Sequence, residues 1–153
     1  MQPYRIDIEI HDETLKAVLI DLKIEHKPPS ITTNFQDVKA LSKKSGYESE
    51  RWGMFDPAKN HVFLQTLPAS YARLPLFHLQ PFVREVLLHE LRHAHQFECW
   101  PEERRKRMLD GPYWLRDAEK DARRWSYKAH LRPDWRPLLK VTRQALGEPT
   151  RLP

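Results

Sequence analysis

Apolar residues recur at helical spacing between residues 81 and 98, and this pattern constrains the fold more than any other feature. Spacings of three and four residues place the apolar side chains on one face of an α-helix, which must be buried against other elements. Pro81 suits the first turn of a helix, and Pro101 ends the pattern. We therefore predict an amphipathic helix from Pro81 to about Glu98. Its apolar positions are Phe82, Val83, Val86, Leu87, Leu91, Ala94 and Phe97.

The middle of this helix reads His-Glu-Leu-Arg-His from His89 to His93. A helix turns about 100° per residue, so the two histidines lie about 40° apart on successive turns, where both imidazoles can reach one tetrahedral ion. Histidine nitrogen suits Zn²⁺. Glu90 lies beside the ligands, where it can take a proton from a water that the metal activates. We predict a zinc site with His89 and His93 as ligands and Glu90 as the catalytic base, in preference to a coincidental pair of histidines.

Two neighbouring residues differ in their predicted relation to this site. His95 lies about 240° around the helix from His89, so it points away from the metal and suits the surface or the edge of the core. Gln96 lies about 20° from His89 and is a candidate to support the site from behind the ligands.

A catalytic zinc requires a third protein ligand and an open coordination position. The candidates lie on a second predicted helix over residues 113–130, whose predicted buried stripe is Leu115, Ala118, Ala122, Trp125 and Ala129. Glu119 and Asp121 lie about 80° to either side of that stripe, so helical spacing does not choose between them. His130 is disfavoured because it lies eleven residues beyond Glu119, or about 16 Å along a helix.

The segments outside these helices predict short strands and helices. Residues 4–10 alternate as a strand, whereas residues 16–24 suit either a strand or a helix. Asn34 is predicted to cap a helix ending near Ser45. Residues 51–66 form two apolar arms around a turn rich in Asp, Pro and Asn, which predicts a β-hairpin. A short basic helix is predicted around residues 137–146.

Composition limits the class of protein. The chain has 153 residues, enough for one domain, with an active-site core at about 52–130 and a basic C-terminal helix and tail at about 131–153. It contains no run of about 18 apolar residues and no signal-peptide core, so we expect a cytoplasmic protein that does not enter a membrane. Cys99 is the single cysteine, which excludes both an internal disulfide and a cysteine-rich zinc site within one chain. The net charge of +5 favours acidic partners without identifying one.

The chain resembles the minimal zincin metallopeptidases of the gluzincin type, especially the ImmA/IrrE-like and related phage-encoded groups. The resemblance rests on the segment from His89 to Gln96 and on Glu119-Lys120-Asp121-Ala122, which is similar to a Glu-x-Glu/Asp-Ala signature. It covers about half of the chain, residues 52 to 129. Asp117 and Arg123 depart from the residues common in those groups.

The resemblance implies the rest of the site and its chemistry. It implies an α+β domain in which a small antiparallel sheet or hairpin packs on the active-site helix and on a following helix that carries a ligand. It makes Glu119 the third zinc ligand. It also makes the strand from His61 to Thr66 a candidate edge strand that pairs with an extended peptide substrate, with a plain structural strand as the equal alternative. The implied function is a zinc-dependent metallopeptidase that hydrolyses peptide bonds of a protein substrate, with Tyr113, Tyr127 or His130 as the group that stabilises the oxyanion.

Two alternatives remain from the sequence. Arginines recur near Trp100, Trp114, Trp125 and Trp135, which would suit a DNA-associated enzyme similar to the SprT-like proteases. We favour a solvated charged face instead, because nearby acidic residues dilute the charge. The other alternative is a catalytically silent zincin fold that serves as a structural or docking subunit of a larger assembly, such as a phage particle. The presence of Glu90 argues against it, since a structural zinc site needs no base.

Overall fold

A computed structural model describes residues 4–35, 52–65 and 74–145 of the chain. Strands predominate in its first half, and helices predominate in its second half. In chain order the elements are β1 (Tyr4–Ile10), α1 (Asp12–Asp21), β2 (Ser30–Phe35), β3 (Gly53–Asp56), β4 (His61–Gln65), α2 (Leu76–Cys99), α3 (Glu102–Lys106), a 3₁₀ turn (Tyr113–Leu115), α4 (Asp117–Ala129), a 3₁₀ helix (Pro133–Leu138) and β5 (Leu139–Ala145). No helix in these three ranges is both long and apolar enough to cross a membrane.

The strands form two small sheets, and the α+β class predicted from the sequence is confirmed. β1 pairs with β5 in antiparallel register, from Tyr4 opposite Ala145 to Ile10 opposite Leu139. The second sheet has the order β2-β4-β3, in which β3 and β4 are antiparallel and β2 joins β4 in parallel. Both sheets pack against α2, which also packs along α4.

The β3–β4 hairpin forms where its turn residues predict it. The carboxylate of Asp56 accepts a hydrogen bond from the backbone N–H of Ala58 at 3.0 Å, and Asn60 adopts a left-handed conformation with φ of 49°. Asparagine tolerates that conformation better than most residues. The Asn60 amide also donates to the carbonyls of Lys27 and Pro28, which fixes the turn beside the start of β2.

β4 lies in the middle of its sheet, so the prediction that His61–Thr66 is an edge strand is wrong. Parallel pairing with β2 covers the edge that the hairpin alone would leave open. Asn34 and Phe35 belong to β2, so no helix begins at Asn34. The rest of the helix predicted to end near Ser45 lies outside the described residues.

The central helix α2 begins at Leu76, five residues earlier than the sequence predicts. Pro81 therefore lies inside the helix, where its ring nitrogen offers no hydrogen to the turn before it. The first turn of the helix forms before Pro81 is reached. In that turn the carbonyl of Pro75 accepts hydrogen bonds from the backbone N–H groups of His78 and Leu79. The predicted apolar face is buried at Val83, Leu87, Leu91 and Ala94, where it forms the centre of the core.

The helix predicted over residues 113–130 begins only at Asp117, after a 3₁₀ turn. Arg116 has extended backbone angles, which break the helical register between Leu115 and Ala118. Leu115 is consequently 62% exposed, and its place in the predicted buried stripe is wrong. Trp125 is half-buried. The buried residues of α4 are Ala118, Glu119, Ala122, Ser126 and Ala129.

The basic helix predicted around residues 137–146 is also wrong, because residues 139–145 form β5. The side chains of Leu139 and Val141 alternate into the core, as in a strand with one buried face. β5 covers β1, whose Ile6 and Ile8 face the same core. Pairing with a strand 129 to 141 positions away along the chain thus overrides the local helical preference. Residues 12–21 form α1, which includes the first part of the segment 16–24 that the sequence left open between a strand and a helix.

Candidate metal centre

α2 and α4 bring together the three predicted ligands. His89 and His93 lie on successive turns of α2 and face Glu119 in the first turn of α4. His89 Nε2 lies 3.1 Å from Glu119 Oε1, and His93 Nε2 lies 2.9 Å from Glu119 Oε2. One donor atom from each residue lies within 4.8 Å of the others. These residues therefore form a candidate metal site built from two helices.

Burial and charge shape the three side chains. Glu119 is 1% exposed. A carboxylate buried to this extent ordinarily needs a positively charged or hydrogen-bonding partner. Burial alone would raise its pKa, but the adjacent imidazoles of His89 and His93 outweigh burial and lower the pKa. Burial alone would lower the pKa of His93, but the adjacent carboxylate of Glu119 raises it to about 9. In the absence of a metal, a positive charge on His93 thus lies beside the buried carboxylate of Glu119.

The polar atoms of the site fit a metal ion. His93 Nε2 is buried, and despite its closeness to Glu119 it has no aligned hydrogen-bond partner in the described part of the chain. The rings of His89 and His93 are nearly perpendicular, with centroids 4.8 Å apart. Two imidazole nitrogens and one carboxylate oxygen are a donor set that Zn²⁺ accepts in catalytic sites. His89, His93 and Glu119 are therefore the residues that could hold such an ion.

Glu90 occupies a buried position beside this triad. It is 2% exposed, and Oε1 has no hydrogen-bond partner among the described residues. Glu90 and His89 border a cavity of about 570 Å³, the site cleft. Other residues that line the site cleft are Trp52, Phe82, Val86, Tyr113 and Tyr127. A carboxylate with an unused oxygen at the wall of a cleft is placed to exchange a proton with a bound molecule.

The structure separates the roles of Glu119 and Asp121, which helical spacing alone left open. Asp121 turns away from the histidines and forms a two-point ion pair with Arg92, with Nε–Oδ2 at 2.7 Å and Nη2–Oδ1 at 3.1 Å. Hydrogen bonds from Arg92 and Gln96 outweigh burial and hold the pKa of Asp121 below its usual value. Asp121 therefore joins α4 to α2, and Glu119 is the acidic residue that faces His89 and His93.

The remaining predicted residues lie where their helical angles place them. The Nδ1 atom of His95 lies 2.6 Å from the carbonyl of Leu22, on the side of α2 away from the triad. Gln96 contacts His93 directly, with Oε1 2.8 Å from Nδ1. His130 is the C-cap of α4, and its Nδ1 lies 3.2 Å from the carbonyl of Ser126. It is not among the residues that line the site cleft.

Sequence reasoning missed two features of the site. One is Gly53, at the start of β3, where an added Cβ would lie 3.0 Å from Glu90 Cγ. A glycine inside a strand is a known sign of close backbone approach and could have indicated it. The other is the Arg92–Asp121 pair, which joins residues 29 positions apart and leaves no local signal.

Trp100 and Trp135 do not form an open stacking surface. Trp100 and Trp135 are 6% and 2% exposed. The guanidinium of Arg104 lies 3.4 Å from the centre of the Trp100 ring, and that of Arg132 lies 3.7 Å from the centre of the Trp135 ring. These tryptophans therefore anchor the core and are covered by arginine. A larger groove of about 1150 Å³ lies elsewhere, between the start of α2 and β5, and contains none of the predicted site residues.

An α+β domain that brings two histidines and a glutamate together at the contact of two helices defines a candidate metal-binding protein. Comparisons with models of known protein families, with curated proteins and with solved structures find no match. The functional argument therefore depends on the residues of this chain.

Proposed function

We propose that the protein is a zinc-dependent metallopeptidase with a minimal zincin site. His89, His93 and Glu119 bind Zn²⁺, and Glu90 is the general base. The observation that carries this proposal is the pairing of the triad with Glu90, a buried carboxylate whose Oε1 has no partner among the described residues and which borders the same cleft as His89. A purely structural metal site has no use for such a carboxylate.

The bound zinc would supply a Lewis acid that polarises the scissile carbonyl and acidifies the attacking water. Glu90 would accept a proton from the attacking water as the new C–O bond forms, and would then pass that proton to the amine nitrogen as the C–N bond breaks. Tyr113 and Tyr127 line the site cleft, and a hydroxyl from either residue is a candidate donor to the oxyanion. His130 is the weaker candidate, because it does not line the cleft.

The substrate class follows from the lining of the cleft. Trp52, Phe82 and Val86 give one wall an apolar surface beside the carboxylate of Glu90. A peptide is a substrate that combines apolar side chains with a hydrolysable amide. We therefore propose a peptide or protein substrate. The buried Trp100 and Trp135 offer no stacking platform to nucleic acid, and no described feature favours the docking-subunit alternative.

Replacement of Glu90 by glutamine tests the proposed chemistry. Glutamine preserves size and keeps a polar oxygen, but it cannot take a proton from water. We expect Glu90→Gln to bind zinc within about threefold of wild type and to lower the rate of peptide cleavage by at least about 100-fold. The measurements are zinc competition against a chromophoric chelator and mass spectrometry of a digested peptide library. Unchanged cleavage by this variant would contradict the mechanism.

A pair of histidine variants tests the metal site itself. His93→Ala removes a proposed ligand, whereas His95→Ala removes a histidine of the same helix whose ring faces Leu22. We expect His93→Ala to abolish stoichiometric zinc binding and His95→Ala to retain it. Equal zinc binding by the two variants would exclude the proposed ligand set.

A further inference from the structure

Gln96 connects the two helices that supply the candidate ligands. It is 0% exposed and lies one turn after His93 on α2. Its amide nitrogen donates to the carbonyl of Ala118 at 2.9 Å and to Asp121 Oδ2 at 2.8 Å, both on α4. Its amide oxygen lies 2.8 Å from His93 Nδ1. One buried side chain thus contacts a candidate ligand and the residues on both sides of Glu119.

The partners of the amide group fix which way it points. A carbonyl oxygen and a carboxylate oxygen can only accept hydrogen bonds, so the NH₂ group must face Ala118 and Asp121. The opposite orientation would place the amide oxygen against two other oxygens in a site without solvent, which is costly. The amide oxygen therefore faces His93.

This orientation fixes the proton on the imidazole of His93. Because an amide oxygen accepts and never donates, the hydrogen between Gln96 and His93 belongs to Nδ1. The neutral ring then has its lone pair on Nε2, the atom that lies 2.9 Å from Glu119 Oε2. In metal sites, a hydrogen bond donated by one ring nitrogen commonly leaves the other ring nitrogen free to bind the metal.

We propose that Gln96 is a positioning residue for metal binding: it holds His93 in the Nδ1–H tautomer and sets the spacing between α2 and Glu119. This inference deepens the proposed function and rests on the proposed metal site. The carboxylate of Asp121, held by Arg92, polarises the Gln96 amide from the far side and strengthens its hold on His93.

The main test variant is Gln96→Met, which keeps an unbranched side chain of similar length and removes both hydrogen-bonding functions. We expect its zinc dissociation constant to rise about 10–100-fold, as is typical when a partner of a metal-binding histidine is lost. Leu91→Ala is the matched control, because Leu91 is a fully buried residue of the same helix outside the hydrogen-bond network. The control should lose stability but keep its zinc dissociation constant within about threefold of wild type.

A second measurement does not depend on metal. In the metal-free wild type at a pH above the His93 pKa of about 9, where the ring is neutral, the ring Nδ1–H of His93 should give a protected resonance in ¹⁵N-edited NMR, and Gln96→Met should lose it. An Nε2–H tautomer in the neutral ring, or unchanged zinc affinity in a folded Gln96→Met protein, would overturn the inference. If Gln96→Met does not fold, Gln96→Leu supplies the same comparison with a different shape. A wild type that shows the Nδ1–H resonance but binds no zinc would refute the proposed function and leave the tautomer assignment standing.

Discussion

Gly53 allows the backbone of β3 to lie directly against α2 at the base proposed for catalysis. A Cβ at this position would lie 2.9 Å from Val86 Cγ1, 3.0 Å from Glu90 Cγ and 3.4 Å from a methyl group of Leu64. The two shorter separations are below ordinary carbon–carbon contact, so any larger residue must push these side chains away. The absence of a side chain at position 53 therefore helps to define where the Glu90 carboxylate lies.

Gly53→Ala should consequently lower both stability and hydrolysis. We expect a loss of about 1–3 kcal/mol in the free energy of unfolding, as is common for overpacking, and a fall in cleavage rate from the displaced carboxylate. Denaturant titration and peptide cleavage measure the two effects.

The double variant Gly53→Ala/Val86→Ala separates the effect on stability from the effect on cleavage rate. Removing Val86 Cγ1 relieves the closest contact, so the double variant should lose less stability than the two single variants combined. The contact with Glu90 remains, so the cleavage rate should stay low. Full activity in Gly53→Ala would show that Glu90 does not depend on this approach.

At the scale of single residues, the sequence predicted what helical spacing determines. His89, Glu90 and His93 follow from positions within one helix, and so does the contact of Gln96 with the site. Helical spacing did not identify Glu119 as a site residue, because the register of its own helix was misread when Leu115 was assigned to the buried stripe. In the structure Glu119 belongs to the buried face of α4, beside Ala118 and Ala122. The break at Arg116 depends on backbone angles that side-chain periodicity does not reveal.

Among the elements, α1 ends in a Schellman motif with a lysine at its left-handed position. Lys23 has φ of 61°, its N–H donates to the carbonyl of Ile20, and the N–H of Ile24 donates to the carbonyl of Leu19. Glycine is the usual residue at this position, because a Cβ is strained there. Leu19 and Ile24 are both buried, so the motif is held by the core.

Lys23→Gly should therefore stabilise the protein, by about 0.5–1 kcal/mol, because relief of the left-handed strain exceeds the added freedom of the unfolded chain. The same substitution at Lys16, an exposed position inside α1, should destabilise by about 1 kcal/mol. Urea unfolding of the two variants compares them directly. Destabilisation by both substitutions would contradict this prediction and would show that Lys23 is little strained in its left-handed conformation.

Sequence reasoning misread two strands whose pairing partners are distant or lie outside the hairpin. The hairpin was predicted correctly because its turn chemistry lies within five residues. β5 was predicted as a helix because its partner β1 lies at the other end of the described chain. The edge assigned to β4 was wrong for the same reason, since β2 precedes the hairpin and pairs in parallel. Local periodicity carries no information about such partners.

Across the whole molecule, α2 is the element on which the others assemble. Its apolar face forms the centre of the core together with residues of β1, β4 and β5, and its opposite side meets α4. Direct links between α2 and α4 are the Arg92–Asp121 ion pair, the Gln96 hydrogen bonds and the candidate metal triad. The triad therefore does two things: it supplies the proposed chemistry and it joins two helices.

Zinc should for this reason raise the thermal stability of the protein. An ion that binds only the folded state at 100 times its dissociation constant adds about 2.7 kcal/mol, or roughly 5–10 °C in Tm for a chain of this size. Calorimetric scans with zinc and with a chelator measure the difference.

The metal-free protein should remain folded, because His93, whose pKa is about 9, is protonated at neutral pH and neutralises the buried Glu119. His93→Ala is the control: its Tm should not respond to zinc. An equal response in the variant would place the stabilising ion elsewhere, and no response in the wild type would contradict the metal site.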